Sequence, residues 1–137
     1  MCPRRRFYIG PINKVAAGKK KRVLFHKGKI CVKELLLRYD GNDDTSSKYN
    51  VWSIKIDGEE IINRSFGDIY KYLCGYSTCQ HSDRPIVCNV YNTTINVYSL
   101  IFHDLGLVED GIEVWFENKD TSNDCDVSLS LVYDVLE

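Results

Sequence analysis

Three cysteines and one histidine in the middle of the chain are residue types that could bind a metal ion. Cys74, Cys79, His81 and Cys88 follow the spacing C-x4-C-x-H-x6-C. Three thiolates and one imidazole would complete a tetrahedral zinc site, and no other cofactor is predicted. The alternative is that Cys88 lies in the core of a strand, while Cys74 and Cys79 are free thiols or form a local disulfide.

The remaining histidines and the acidic loops carry weaker chemical signals. His103 and Asp104 could act as a base and its orienting carboxylate, but no serine or cysteine nucleophile lies in a recognisable turn. Two acidic loops could bind calcium, yet neither follows an EF-hand pattern, and solvated carboxylates are the simpler interpretation. These loops contain Asp40, Asp43, Asp44, Asp120, Asp124 and Asp126. We therefore predict that the protein is not an enzyme.

Aromatic residues make up 12% of the chain and allow a different hypothesis. Rings can stack on sugars, so an exposed row of them would form a carbohydrate-binding face. The alternative is that the rings alternate into the core or fill contacts between subunits, where aromatic residues are enriched. The candidates are Trp52, Tyr76, Tyr91, Tyr98 and Trp115.

Alternating apolar and polar residues indicate the strands that must position these groups. Near the end of the chain, Ile112, Val114 and Phe116 share one face of a strand, and acidic residues share the other. Such segments recur about eight times, with one short helix over residues 66–73 that Ser65 can cap. The pattern predicts an all-β fold, an antiparallel β-sandwich of the jelly-roll kind.

Trp115 is placed by the same alternation on the outer face of its strand, together with Glu113 and Glu117. A large ring among acidic residues on an outer face is hard to explain in an isolated monomer. We therefore predict that Trp115 contacts another chain.

The net charge of −1 hides an uneven distribution of charge. Residues 1–22 contain eight basic and no acidic residues. The other ten basic residues face all nineteen acidic ones, so residues 23–137 carry a net charge of −9. We divide the chain into an extended basic N-terminal arm (residues 1–22) and a β-sandwich domain (residues 23–137).

The basic arm could bind nucleic acid, lie on the acidic surface of a neighbouring copy, or be a solvated tail. Contact with a neighbouring copy is the interpretation that we carry forward. The residues predicted to form the subunit interface are Arg4, Arg5, Arg6, Lys19, Lys20, Lys21, Arg22 and Trp115.

Two parts of the chain resemble virion proteins of phages and archaeal viruses. Residues 30–64 contain the segments Val32-Lys33-Glu34-Leu35, Arg38-Tyr39-Asp40 and Ile54-Lys55-Ile56-Asp57-Gly58-Glu59. Residues 110–136 contain Glu113-Val114-Trp115-Phe116-Glu117-Asn118, then Asp120-Thr121-Ser122-Asn123, and a last strand that includes Val132-Tyr133. This layout is similar to β-sandwich capsid, decoration and tail-associated subunits, whereas residues 74–88 depart from it.

The resemblance implies a non-enzymatic structural protein of the virion, present in the host cytoplasm during assembly. Its expected partners are further copies of itself, as a homo-oligomer, and other virion proteins. One alternative function is a carbohydrate- or ligand-binding β-sandwich module, and another is a virus-encoded effector that binds a host protein. No run of about 18 apolar residues occurs, so no membrane partner is expected.

Overall fold

Two antiparallel β-sheets form the fold, and the computed structural model describes residues 4–41, 47–78 and 84–136 of the chain. The larger sheet has six strands: β1 (Arg4–Ile9), β2 (Asn13–Val15), β4 (Ile30–Asp40), β7 (Ile86–Asn92), β8 (Val97–Val108) and β10 (Cys125–Val135). The smaller sheet has four strands: β3 (Lys20–Lys27), β5 (Val51–Ile56), β6 (Glu59–Ser65) and β9 (Gly111–Glu117).

The order of the strands is that of a jelly roll. The larger sheet runs β1-β10-β4-β8-β7, with β2 also paired to β10, and the smaller sheet runs β3-β9-β5-β6. If β2 and β7 are set aside, eight strands remain, and they can be numbered one to eight along the chain. The larger sheet then has the order 1-8-3-6, and the smaller sheet has the order 2-7-4-5. Most connections therefore cross from one sheet to the other, as in a double Greek key. The predicted antiparallel sandwich is confirmed, and the described residues form ten strands rather than about eight.

The core between the sheets is built from large aromatic side chains and aliphatic ones. Tyr39 stacks on Tyr98 with ring centroids 5.1 Å apart, and Trp52 meets Phe116 at 4.8 Å. All four rings are at most 1% exposed. A fully buried side chain of this kind stabilises the fold by roughly 1.5–3 kcal/mol relative to an exposed one. Trp52 and Tyr98 therefore act in packing, and the hypothesis that they line a carbohydrate-binding face is wrong.

The described residues contain a short 3₁₀ turn, Ser47–Tyr49, and a longer helical segment that lies where the sequence predicted it. Ser65 Oγ accepts a hydrogen bond from the Asp68 N–H at 3.1 Å, which caps the α-helical turn α1 (Phe66–Asp68). The chain continues as a π-helical segment, Ile69–Leu73, in which the Cys74 N–H donates to the Ile69 carbonyl at 3.0 Å. No helix in the described ranges has the length and apolar character needed to cross a bilayer.

The basic N-terminal segment differs from the separate arm that the sequence predicted over residues 1–22. Its strands β1 and β2 pair with successive parts of β10, one after the other along the same edge. Strand β3 begins at Lys20, which is still within residues 1–22. The segment is extended, but from Arg4 onward it forms part of the sandwich. Every residue of β1 is exposed, so its sequence lacks the polar–apolar alternation that identifies a half-buried strand.

Candidate functional site

Strands β1, β2 and β3 lie on the same side of the sandwich, and we call the surface that they form the basic edge. β1 is the outermost strand of the larger sheet, and β3 is the outermost strand of the smaller one. His26 on β3 links the two sheets, because its Nε2 lies 3.2 Å from the Tyr133 hydroxyl on β10. Hence most of the basic residues of the N-terminal segment reach one lateral surface of the fold.

The cations of the basic edge form two clusters rather than one. Arg6 is paired with Tyr133, whereas Val15 is paired with Cys125, eight residues away along β10. At about 3.3 Å per residue, this separation is roughly 26 Å. Arg4, Arg5 and Arg6 form the first cluster. Lys14, Lys19, Lys20 and Lys21 form the second cluster at the opposite end.

Asn118 holds the second cluster in place. Its backbone N–H donates to the Lys19 carbonyl at 2.9 Å, and its side-chain amide donates to the carbonyls of Val15 (3.1 Å) and Asn123 (2.8 Å). The Asn118 side chain is fully buried. It therefore joins the end of β2 and the start of β3 to the loop between β9 and β10.

Exposed apolar residues lie between the two basic clusters. Phe7 and Ile9 are 75% and 85% exposed, and Ile12 is 74% exposed. Phe7 and Ile9 lie opposite Val132 and Ser130, which alternate with the buried core residues of β10 and so face outward. Apolar side chains with cations on either side are a common composition of protein–protein contacts. Sequence reasoning missed Phe7, Ile9 and Ile12 because it treated the segment only as a carrier of charge.

Some of the basic residues predicted for the interface are held by their own chain, and others are free. Arg5 pairs with Asp134 at 2.9 Å, and Arg22 pairs with Glu113 at 3.1 Å. By contrast, Arg4, Arg6 and Lys21 make no ion pair within the part of the chain that the structure describes. These free cations are the ones available to a partner.

Trp115 lies on the outer face of the smaller sheet, as the alternation predicted, and cations of its own chain surround it. Lys20 Nζ, Lys55 Nζ and Arg22 Cζ lie 5.7, 5.9 and 6.0 Å from the ring centroid. Cation–π attraction favours these positions. The cations explain how a large ring is accommodated among acidic residues without a second chain. That Trp115 contacts another subunit stays a prediction.

The indole N–H of Trp115 is buried and has no acceptor among the described residues. A buried donor without a partner is unfavourable, because it has lost its hydrogen bond to water.

The predicted zinc site is only partly within the described residues. Cys74, at the end of the π-helical segment, and Cys88, on β7, are both buried and free. Burial raises the pKa of Cys88 to about 12 and also raises the pKa of Cys74, although a hydrogen bond from the Cys88 main chain opposes the latter. Cys79 and His81 lie outside the described residues.

Within the described ranges, no group of three or more histidine, cysteine or acidic residues is arranged to hold a metal ion. Zinc binding at Cys74 and Cys88 stays a prediction that depends on the other two ligands. Cys88 is fully buried on β7. This is the position that the alternative interpretation gave it, as a core residue of a strand.

Asp40 and Asp120 of the two acidic loops make contacts within their own chain. Asp120 accepts hydrogen bonds from the N–H groups of Ser122 (2.8 Å) and Asn123 (3.1 Å), so its carboxylate holds its own loop. Asp40 pairs with Arg38 at 3.0 Å, whereas residues 43 and 44 lie outside the described ranges. His103 is on β8, where its backbone N–H donates to the Pro85 carbonyl at 2.8 Å.

The chain matches no protein-family model and no curated protein sequence at a significant level.

Proposed function

We propose that this protein is a non-enzymatic structural subunit, and that its basic edge binds an acidic surface of a neighbouring copy. The observation that carries the proposal is β1. It is exposed along its whole length, lies at the end of its sheet, and combines three arginines with Phe7 and Ile9. An edge strand offers unpaired N–H and C=O groups to an incoming strand, and its apolar side chains would gain from burial.

Charge decides which partner the basic edge accepts. If two copies met symmetrically through β1, the arginines of each would face those of the other, which like-charge repulsion opposes. A partner that brings acidic residues is favoured instead. The contact is therefore heterologous, with different surfaces on the two copies, and such contacts build rings or extended assemblies.

The edge strand β6 supplies the acidic residues that the basic edge requires. It lies at the end of the smaller sheet opposite β3, and its first two residues, Glu59 and Glu60, are exposed. If β6 of one copy met the basic edge of the next, exposed carboxylates would lie against the free cations. The same arrangement would repeat from copy to copy.

A virion component is the setting that we propose for this assembly. The support is the resemblance of residues 30–64 and 110–136 to capsid, decoration and tail-associated subunits, together with a jelly-roll strand order, which occurs in viral capsid domains. This support is an analogy of fold, and folds serve many functions. The contact between the two edges is argued from this chain alone.

Reciprocal charge reversal tests the proposed contact. One variant carries Arg4→Glu and Lys21→Glu, which reverses one free cation in each basic cluster; the other carries Glu59→Lys and Glu60→Lys. Each variant alone should lose assembly, measured as mass by light scattering, because like charges would meet. Mixing the two should restore assembly, since opposite charges meet again.

The matched control is Lys48→Glu with Lys71→Glu, which lowers the net charge by as much as the basic-edge variant does but lies outside the strands of both edges. It should assemble as the wild-type protein does. An equal loss of assembly in the two edge variants and in the control would overturn the proposed contact. So would a basic-edge variant that loses only the binding of nucleic acid while its mass distribution stays unchanged.

A further inference from the structure

Four tyrosines line a pocket on the far side of the molecule from the basic edge. The pocket has a volume of about 340 Å³ and lies beside the short helical turn Ser47–Tyr49, the start of α1 and strand β7. Its aromatic lining consists of Tyr49, Tyr70, Tyr76 and Tyr91. The volume is at the lower end of the range for small-molecule sites, about 300–1,000 Å³. A ligand of one or two rings would fill it.

The rings meet edge to face, so they form walls and not a parallel slot. Tyr70 meets Tyr91 at 4.7 Å with an interplanar angle of 64°, and it meets Tyr76 at 5.9 Å with an angle of 89°. Tyr70 also lies parallel to the core residue Phe66. The inner walls are thereby anchored on the core, while Tyr76 and Tyr49 remain 61% and 56% exposed.

Tyr76 is held in a backbone conformation that a bulky residue seldom adopts. Its φ is 62°, and it follows Gly75, whose φ is 64°. Two hydrogen bonds fix this turn, since the Tyr70 hydroxyl donates to the Tyr76 carbonyl at 2.8 Å and the Tyr76 N–H donates to the Tyr70 carbonyl at 3.0 Å. Left-handed backbone in an aromatic residue is strained, and such strain clusters at ligand sites.

The charges at the mouth of the pocket narrow the class of ligand. Lys48 and Lys71 line it with one carboxylate, that of Asp68. Lys71 Nζ lies 5.9 Å from the Tyr76 ring centroid, and Lys48 Nζ lies 5.3 Å from the Tyr49 centroid. Two cations against one anion oppose a cationic ligand and favour an anionic one.

We propose that this pocket binds an acidic sugar, a pyranose that bears a carboxylate. The C–H face of the ring packs on Tyr76, the tyrosine hydroxyls and Asp68 hydrogen-bond the sugar hydroxyls, and Lys48 and Lys71 pair with the carboxylate. A planar nucleotide base fits less well, because perpendicular walls leave no parallel slot in which to stack it. The site does not depend on assembly through the basic edge.

Titration of ¹⁵N-labelled protein followed by NMR tests the proposal, with methyl glucuronide, methyl glucoside and AMP as separate probes. Methyl glucuronide should cause saturable shifts at residues 70–76 and 91. Methyl glucoside lacks the carboxylate, and its affinity should be lower by a factor of about ten or more. Shifts with AMP alone, or equal affinity for the two sugars, would overturn the proposal.

Variants of the exposed tyrosines separate the pocket from non-specific stacking. Tyr76→Ala should reduce the affinity for methyl glucuronide by about tenfold or more, while Tyr76→Phe keeps the stacking ring and most of the binding. The control is Phe25→Ala, which removes a ring that is 51% exposed on β3 and does not line the pocket. An equal loss in Phe25→Ala and Tyr76→Ala, or no saturable binding to the wild-type protein, contradicts the assignment.

Discussion

Arg5 and Asp134 form a bidentate ion pair that fastens the first strand of the fold to the last. Arg5 Nε donates to Asp134 Oδ1 at 2.9 Å, and Arg5 Nη2 donates to Oδ2 at 3.2 Å. Arg5 is half exposed, whereas the Asp134 side chain is only 13% exposed. Because β1 buries no residue of its own, this pair and the backbone hydrogen bonds to β10 are what hold it in the sheet.

The docking of β1 should therefore depend on pH. The hydrogen bond from Arg5 holds the pKa of Asp134 below its ordinary value of 3.8. A carboxylate whose pKa is lowered in the folded state stabilises that state above the unfolded pKa, and the stabilisation is lost as pH falls through the folded pKa. We expect the amides of β1 to exchange with deuterium faster, relative to those of β4, as pH falls from 5 to 3.

The control for this prediction is Asp134→Asn. It keeps an acceptor but has no carboxylate to titrate, so β1 should already exchange faster at pH 5 and should show no further pH-dependent release. The same pH dependence in the variant as in the wild-type protein would show that another group fastens β1.

Asp57 should control the stability of the turn between β8 and β9. Its carboxylate accepts hydrogen bonds from the N–H groups of Asp110 (2.7 Å), Glu109 (3.0 Å) and Gly111 (3.1 Å). These bonds lower its pKa, so the stabilisation they provide is present above the ordinary pKa and disappears as pH falls through the lowered value. Asp57→Ala should lower the thermal midpoint at pH 7 more than at pH 3.

Asp57→Asn is the matched variant for that experiment, because asparagine keeps one acceptor and tolerates the positive φ of 54° at this position. It should lie between the wild-type protein and Asp57→Ala at pH 7. Equal midpoints for all three proteins at pH 7 would contradict the role assigned to the carboxylate.

Removal of the Asn118 side chain should destabilise the whole fold. Its two amide donors satisfy the Val15 and Asn123 carbonyls, and its Oδ1 accepts the Asp120 N–H at 2.9 Å. Asn118→Ala removes these three hydrogen bonds, two of which are buried, and each buried group left without a partner costs about 1–3 kcal/mol. Urea denaturation measures the loss. The exposed Asn63→Ala should change stability by less than about 0.5 kcal/mol, and an equally small change at Asn118 would refute the network.

Cys88 and Cys125 should resist alkylation in the folded protein. Burial raises their pKa to about 12 and about 11 respectively, and the thiolate is the reactive form. Iodoacetamide at pH 8 should label neither residue until urea unfolds the chain, as mass spectrometry of digested protein can determine. Rapid labelling of Cys88 in the native protein would contradict its burial. If a chelator abolished the protection of Cys88 from alkylation, that result would instead support the zinc prediction.

The interior strands could be predicted from the sequence because each has one buried face. Strands β5 and β9 show the two-residue period clearly, and Asp-Gly, which favours hairpin turns, forms the turn between β5 and β6 at Asp57-Gly58, with φ of 54° and 81°. The Ser65 cap was also correctly identified. In these places the residues nearby in the sequence favour the same backbone conformation that the packed fold needs.

The basic edge could not be predicted in the same way, because its structure depends on distant partners. The Arg4–Ile9 strand exposes both faces, so no alternation marks it, and its position follows from pairing with residues more than 120 positions away. The surroundings of Trp115 show the same limit. Its cations come from β3 and β5, and nothing in the local sequence brings Lys20 and Lys55 to one ring.

The mass of the wild-type protein in solution, measured by light scattering over a range of concentrations and salt, tests assembly through the basic edge most directly. The proposal predicts a mass above the 15.8 kDa of one chain at low salt, which rises with concentration and falls as salt screens the charges. A mass of 15.8 kDa at every concentration and every salt would contradict it.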